Sequence, residues 1–208
     1  MFSLKEFVKL YTLLDGDMVE VDCGLRCQQY CCRAADAVKY LLPGEAECFT
    51  DTPPPNFELV EHFIYLGYRG RDGCSCACTR AQRPFCCRIF PFRPVIDLTK
   101  HQVVDLQKVS GAGFDLHCWV SEPTKQWRQS AIEAWQFIFS DLDNLNFYAR
   151  YALFLAQARA HPYISSYSLL SQVNETLSGL SERELWQVSA TLFKMLGYPP
   201  SDWPTLEF

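Results

Sequence analysis

Long uncharged apolar runs are what this chain of 208 residues lacks most conspicuously. No stretch reaches the roughly 18 residues needed to cross a bilayer as a helix. The opening segment, MFSLKEFVKLYTLLDGDMVEVD, is interrupted by Lys5, Lys9, Asp15 and Asp17. It therefore has neither the apolar core nor the small-residue cleavage site of a secretory leader, and a cytoplasmic protein is expected. Positive charge is also scarce. Lys and Arg number 19 against 24 Asp and Glu, a net charge of −5, which argues against a nucleic-acid partner because such partners require a basic face. No Gly-rich strand-to-helix fingerprint for a nucleotide-like cofactor is present; Gly111-Ala112-Gly113 is too short for one. There is no internal repeat and no low-complexity segment.

Cysteine, in contrast, is abundant. Eleven occur, as Cys23, Cys27, Cys31, Cys32, Cys48, Cys74, Cys76, Cys78, Cys86, Cys87 and Cys118. Such a set serves as a disulfide framework, a metal site or redox chemistry. With 49 % apolar residues over this length, the chain can bury a core without cross-links, so small-domain disulfide logic does not apply. A reducing compartment and an odd cysteine count both disfavour a complete disulfide set. A metal site is the favoured expectation. From Arg69 to Arg93 six arginines (Arg69, Arg71, Arg80, Arg83, Arg88, Arg93) face one acid, Asp72. Several thiolates around one cation leave net negative charge, which nearby arginines would offset. An anionic substrate would account for the same arginines.

Apolar spacing predicts an amphipathic helix over residues 3–14, with Phe7, Val8, Leu10, Tyr11 and Leu14 apolar and Asp15-Gly16-Asp17 as its stop. Short strands are expected at 37–42, ending at Pro43-Gly44, and at 62–66; extended pieces are expected at 89–92 and 95–98, and a strand at 114–120. Residues 52–56 read as a stiff Pro-rich linker. After Ser121 the cysteines stop and the pattern becomes helical. Trp127, Ala131, Trp135, Ile138 and Leu142 share a face; Leu145, Tyr148, Ala152 and Leu155 share another, ending at His161-Pro162. A helix is expected over 164–178. Ser181-Glu182-Arg183-Glu184 is a capping box, and the helix behind it should bury Leu185, Val188, Leu192 and Leu196. The fold expected is α+β: an irregular cysteine-rich module with short strands at 1–120, and a helical subdomain at 121–208 packed on it. The aromatic stripes of the second part read as core, and Asp141 and Asp143 as a helix start.

Cys23, Cys27 and Cys31 are four residues apart, so on a helix any neighbouring two lie on one face and could hold one metal. Cys32 would be turned about 100° from Cys31, and Cys86-Cys87 repeats that difficulty. Cys74, Cys76 and Cys78 alternate and would point to one side of an extended strand. These spacings differ from those of zinc ribbons and bacterial ferredoxins, and zinc and iron–sulfur clusters both accept thiolate ligands. Of the four histidines, His117, beside Cys118, is the best nitrogen-ligand candidate, although a structural role is the expectation.

Three strings together resemble a known family: Cys23-x3-Cys27-x3-Cys31-Cys32; Leu41-Leu42-Pro43-Gly44-Glu45; and Cys74-x3-Cys78 followed by Arg83-Pro84-x-x-Cys87-Arg88-x-Phe90-Pro91. They resemble the cysteine-cluster family of zinc- or iron-chelating proteins (CxxCxxCC, YkgJ-like), related to flagellin lysine N-methylase-like proteins. The resemblance covers roughly residues 22–120. It implies Cys23, Cys27, Cys31, Cys32, Cys74, Cys78, Cys87 and Cys118 as metal ligands, with Cys48, Cys76 and Cys86 as extras. The first gaps here are three residues, where the family name has two. The prolines around Cys87 would fix the chain, and Arg83 and Arg88 would support the ligands by bonding to carbonyls or sulfur. The expected function is a metal-binding cysteine-cluster protein carrying zinc or an iron–sulfur cluster. The alternatives are an iron–sulfur-dependent enzyme acting on a protein substrate, and a zinc-stabilised module that binds a protein partner.

Overall fold

In the computed structural model the described residues are 1–16, 18, 39–51, 57–61, 65–70, 82–109, 120, 122–161 and 163–195. Helix α1 spans Leu4–Leu13, strand β1 Lys39–Tyr40 and a short 3-10 helix Glu45–Phe49. Strands β2 (Phe57–Glu61) and β3 (Leu66–Gly70) follow, then helix α2 (Phe85–Ile89) and strands β4 (Phe92–Asp97) and β5 (Gln102–Lys108). Four more helices follow among the described residues: α3 (Lys125–Phe139), α4 (Leu142–Ala160), α5 (Ser166–Ser178) and α6 (Glu182–Met195). The class is α+β, with small antiparallel sheets and a helical C-terminal half. No described helix is long and apolar enough to cross a membrane.

The helix starts follow local chemistry. Thr124 caps α3 by accepting from the Trp127 N–H, Asp141 caps α4 through Asn144, and Ser165 caps α5 through Ser168. Ser181 and Glu184 form the expected capping box, with the Ser181 N–H donating to Glu184 Oε2 at 2.7 Å. Leu142 departs from its expected place. It opens α4 and is 55 % exposed, because the Ser140–Asp141 break resets the helical phase. Val8 of α1 is likewise exposed, so the buried face of α1 is Phe7 and Leu10.

Two sheets carry the described strands. In the first, β3 lies between β1 and β2, pairing Lys39 with Tyr68 and Phe57 with Gly70. Of the apolar run at 62–66, Leu66 opens β3 and Tyr65 precedes it, while 62–64 lie outside the described residues. Glu58 and Glu61 in β2 and the glycines of β3 conceal these strands from an apolar-run reading, and the face of β2 that carries Leu59 and Glu61 is open to solvent. The second sheet is the β4–β5 hairpin, with a register shift at Val95/Ile96. Ile89–Phe92, expected to be extended, is instead the end of α2 and the first residue of β4, and the strand runs through Pro94. A proline is tolerated there because, among the described residues, the sheet has two strands and therefore only edges. Val103 and Leu106 of β5 face α3, and Gln136 Oε1 of that helix accepts from the Val103 N–H at 2.8 Å. The strand expected at 114–120 and the linker at 52–56 fall outside the described residues, apart from Val120.

The core crosses the boundary expected at residue 120. Phe7, Leu10 and Leu14 of the first part, Phe85 and Ile89 of α2, and Trp127, Trp135, Phe139, Tyr148 and Phe193 of the helical half belong to one buried cluster. Trp135 sits inside it, with its ring centroid 4.9 Å from Phe85 edge-on, 5.6 Å from Tyr148 and 5.2 Å from Phe193. Helix α4 is buried nearly all round, through Leu145, Phe147, Tyr148, Ala149, Ala152, Leu153 and Phe154, because it is packed by α3, α5 and α6. A single-face reading of that helix captures only part of its buried surface.

Candidate functional site

Helix α2 is five residues long and carries both Cys86 and Cys87. Pro84 precedes it, and the Pro84 carbonyl accepts from the N–H groups of Cys87 (3.0 Å) and Arg88 (3.1 Å). Pro84 has no N–H of its own to satisfy at this helix start. Cys48, Cys86 and Cys87 are half-buried, and none is in a disulfide. All three pack against one small apolar cluster formed by Leu41, Phe49 and Tyr68. Three cysteines that are far apart in the sequence thus border the same pocket of side chains.

Tyr68, from the central strand β3, sets its hydroxyl 2.6 Å from Cys87 Sγ. Burial raises the Tyr40, Tyr65 and Tyr148 hydroxyls above their ordinary value, and the neighbouring Cys86 adds to the rise. Burial pushes the Cys86 thiol well up, and the adjacent Cys87 thiol and the Glu45 carboxylate push the same way. The two neighbouring thiols therefore interact, although helical geometry alone would turn them about 100° apart. Burial, followed by the charge of Glu45, pushes the Cys48 thiol up to about 11. Without a bound cation these surroundings favour thiols over thiolates.

Glu45 is the polar centre of this region and is fully buried. Its Oε1 accepts from the Tyr11 hydroxyl (2.6 Å) and from the Phe85 N–H at the start of α2 (2.6 Å). Its Oε2 accepts from the Leu42 N–H at 2.8 Å. One carboxylate thus joins α1, the turn at Pro43-Gly44 and the cysteine-bearing helix. Gly44 makes that turn at φ 86°, where a Cβ would come within 3.1 Å of both Met1 and the Phe2 carbonyl oxygen.

Arg88 is buried and spends its donors inside the protein. Its Nε donates to the Arg83 carbonyl at 2.7 Å, Nη1 pairs with Asp15 at 2.7 Å, and the guanidinium lies 4.2 Å over the Tyr11 ring. Its described contacts are thus a carbonyl, a carboxylate and a ring. Arg83 is also buried. Since a lysine has neither the Nε donor nor the planar face, Arg88→Lys is expected to lower stability by about 1.5–3 kcal/mol. Asp15 is 61 % exposed, so Asp15→Asn should lower it by less than about 1 kcal/mol. Urea unfolding of both variants checks the order.

Of the eight expected metal ligands, Cys87 is among the described residues; Cys23, Cys27, Cys31, Cys32, Cys74, Cys78 and Cys118 lie outside them, as do Cys76 and His117. Among the described residues, no three His, Cys, Asp or Glu side chains gather as a metal site. His101 stacks on Trp186 with ring centroids 5.6 Å apart, and His161 caps the end of α4. Asp141 and Asp143 stand at the start of α4, where both pair with the Met1 amino group. Sequence reasoning assigned no chemistry to Glu45 or Tyr68. Glu45 enters the sequence reading only as the last residue of the Leu41-Leu42-Pro43-Gly44-Glu45 string, with no role given to it. Comparison of the chain with protein-family models, with curated proteins and with solved structures returns no match.

Proposed function

We propose that this chain is a cytoplasmic metal-binding protein of the cysteine-cluster type, holding zinc or an iron–sulfur cluster through Cys23, Cys27, Cys31, Cys32, Cys74, Cys78, Cys87 and Cys118. The observation that carries the reading is the setting of Cys87. Its half-buried sulfur is on a short helix held by Pro84 and Glu45, with the Tyr68 hydroxyl 2.6 Å away. A rigid thiol with a neighbouring hydroxyl fits a ligand whose orientation is supported from outside the coordination sphere. Cys86 and Cys48 in the same cluster are spare sulfur, consistent with a soft cation as the guest. The sequence between Gly70 and Gln82 carries three more cysteines, and both ends are described: Gly70 closes β3, beside Tyr68, and Gln82 leads into α2. Zinc bound here would supply fold organisation or Lewis acidity, and a cluster would supply one-electron chemistry.

Full-length protein purified without oxygen or chelators is expected to contain stoichiometric zinc or iron by elemental analysis. Iron with acid-labile sulfide and broad visible absorbance selects the cluster, and with it the protein-modifying alternative. Colourless protein with zinc and four protein ligands selects a structural site, and with it the partner-binding alternative. Cys87→Ser should weaken metal retention against a competing chelator by more than the roughly 10–100-fold typical of residues that only support a ligand. Cys48→Ser should leave retention intact. A well-folded native chain containing neither metal overturns the reading.

A further inference from the structure

A cleft of about 630 Å³ opens between the Leu41–Ala46 turn, the start of β3, and helices α4 and α5. Two helical stripes form its walls. Asp143, Asn146, Phe147 and Arg150 follow one another at three, four and seven residues along α4, and Asn174, Leu177 and Ser178 do the same at three and four along α5. Leu41, Leu42, Phe147 and Leu177 are buried and supply an apolar wall. Arg150 is the only cationic side chain among the described lining residues. Its Nε is buried and has no hydrogen-bond partner among the described residues. A guanidinium whose Nε is left without an acceptor, lining a cleft with apolar walls, leaves a place for an anion.

We infer that this cleft binds an apolar monocarboxylate, with the carboxylate on Arg150 and the hydrocarbon body against Leu41, Leu42, Phe147 and Leu177. The charge count selects a monoanion. One guanidinium faces the cleft, and Asp143 at the same wall already pairs with the Met1 amino group, so a dianionic phosphate would leave charge uncompensated. The fork of Arg matches the two oxygens of a carboxylate. Asn146 and Asn174 add neutral amides beside it. The volume lies within the range of small-molecule sites, about 300–1,000 Å³. The inference is independent of the metal reading, since it draws on no cysteine.

The test is calorimetric titration of the full-length chain with sodium decanoate, with 1-decanol and with decyltrimethylammonium. Decanoate should bind with one-to-one stoichiometry, and the cation should bind least. Arg150→Gln should weaken decanoate about ten- to a hundredfold, the weight of a charge-assisted contact, and leave decanol unchanged. Should Arg150→Gln fail to fold, Asn174→Glu serves, because Asn174 is exposed on the opposite wall and its replacement puts a second anion at the site. It should weaken decanoate and not decanol. No decanoate binding at millimolar concentration, equal affinity for decanoate and decanol, or equal loss of both in either variant overturns the inference.

Discussion

Trp135→Ala is expected to lower the unfolding free energy by about 3–5 kcal/mol. The indole is 1 % exposed and meets Phe85, Phe139, Tyr148 and Phe193 at centroid distances of 4.9 to 5.6 Å. Neighbours that are themselves large rings cannot collapse into the space an indole leaves, so the loss includes a cavity as well as lost transfer energy. Against a typical total of about 5–15 kcal/mol, this is about a fifth of the stability or more. Trp135→Phe should cost much less. It keeps a ring in place and removes an indole N–H that is buried without a partner among the described residues. Because Phe85 opens α2, the loss should reach the cysteine-bearing helix, and Phe85→Ala combined with Trp135→Ala should be non-additive. Urea unfolding followed by circular dichroism measures all three variants. A Trp135→Ala cost below about 1 kcal/mol would contradict the packing described, since buried Trp truncations fall well above it.

Glu45→Ala is the second large effect. It strips the acceptor from the Leu42 N–H, the Phe85 N–H and the Tyr11 hydroxyl together. Each orphaned buried donor costs about 1–3 kcal/mol, so a loss of about 3–5 kcal/mol is expected once partial rehydration is allowed. Glu45→Gln is the informative partner. Its amide oxygen can serve Tyr11 and Phe85, but its NH2 then confronts the Leu42 N–H, donor against donor, and the expected cost is about 1–3 kcal/mol. The two variants also separate by pH. Burial raises the Glu45 pKa above its ordinary value of 4.5, against the opposing bonds from Phe85, Tyr11 and Leu42 and the charge of Arg88. The folded state thus holds this proton more tightly than the unfolded state. The stability it contributes is full below pH 4.5 and is lost as pH rises through the folded value. Gln has no proton to lose. The gap between native protein and Glu45→Gln should therefore be widest in acid and should narrow as pH rises. A gap that widens with pH would mean that the carboxylate is ionised more readily in the fold than in the unfolded chain.

The helical half was legible because its signals are local. The start at Asp141 and the box at Ser181 need only their own next turn, and Trp127, Ala131, Trp135 and Ile138 recur at a spacing that only a helix places on one face; the caps at Thr124 and Ser165 emerged only in the structure. Leu142 escaped that logic because a two-residue break restarts the helical phase, which an unbroken count of residues does not register. The short strands were harder to place. Glu58 and Glu61 interrupt β2, and Gly67 and Gly70 fall in β3, so neither strand reads as an apolar run.

Amino-acid order alone determined the α+β class, the amphipathic first helix and the capped helices of the C-terminal half. Each of these depends on residues within a turn or two of one another. The density and grouping of the cysteines were equally plain, and they set the metal-binding expectation. Only the tertiary structure decided that Glu45 is buried beneath three donors, that Tyr68 stands against Cys87, that Arg88 is held by Asp15 and Tyr11, and that Arg150 faces a cleft. Apart from the Glu45–Leu42 bond, these pairings join residues 19 to 77 positions apart, or walls from four separate elements. Their energies come from burial, which removes competing water, and burial is a property of the packed chain that no local stretch of sequence carries.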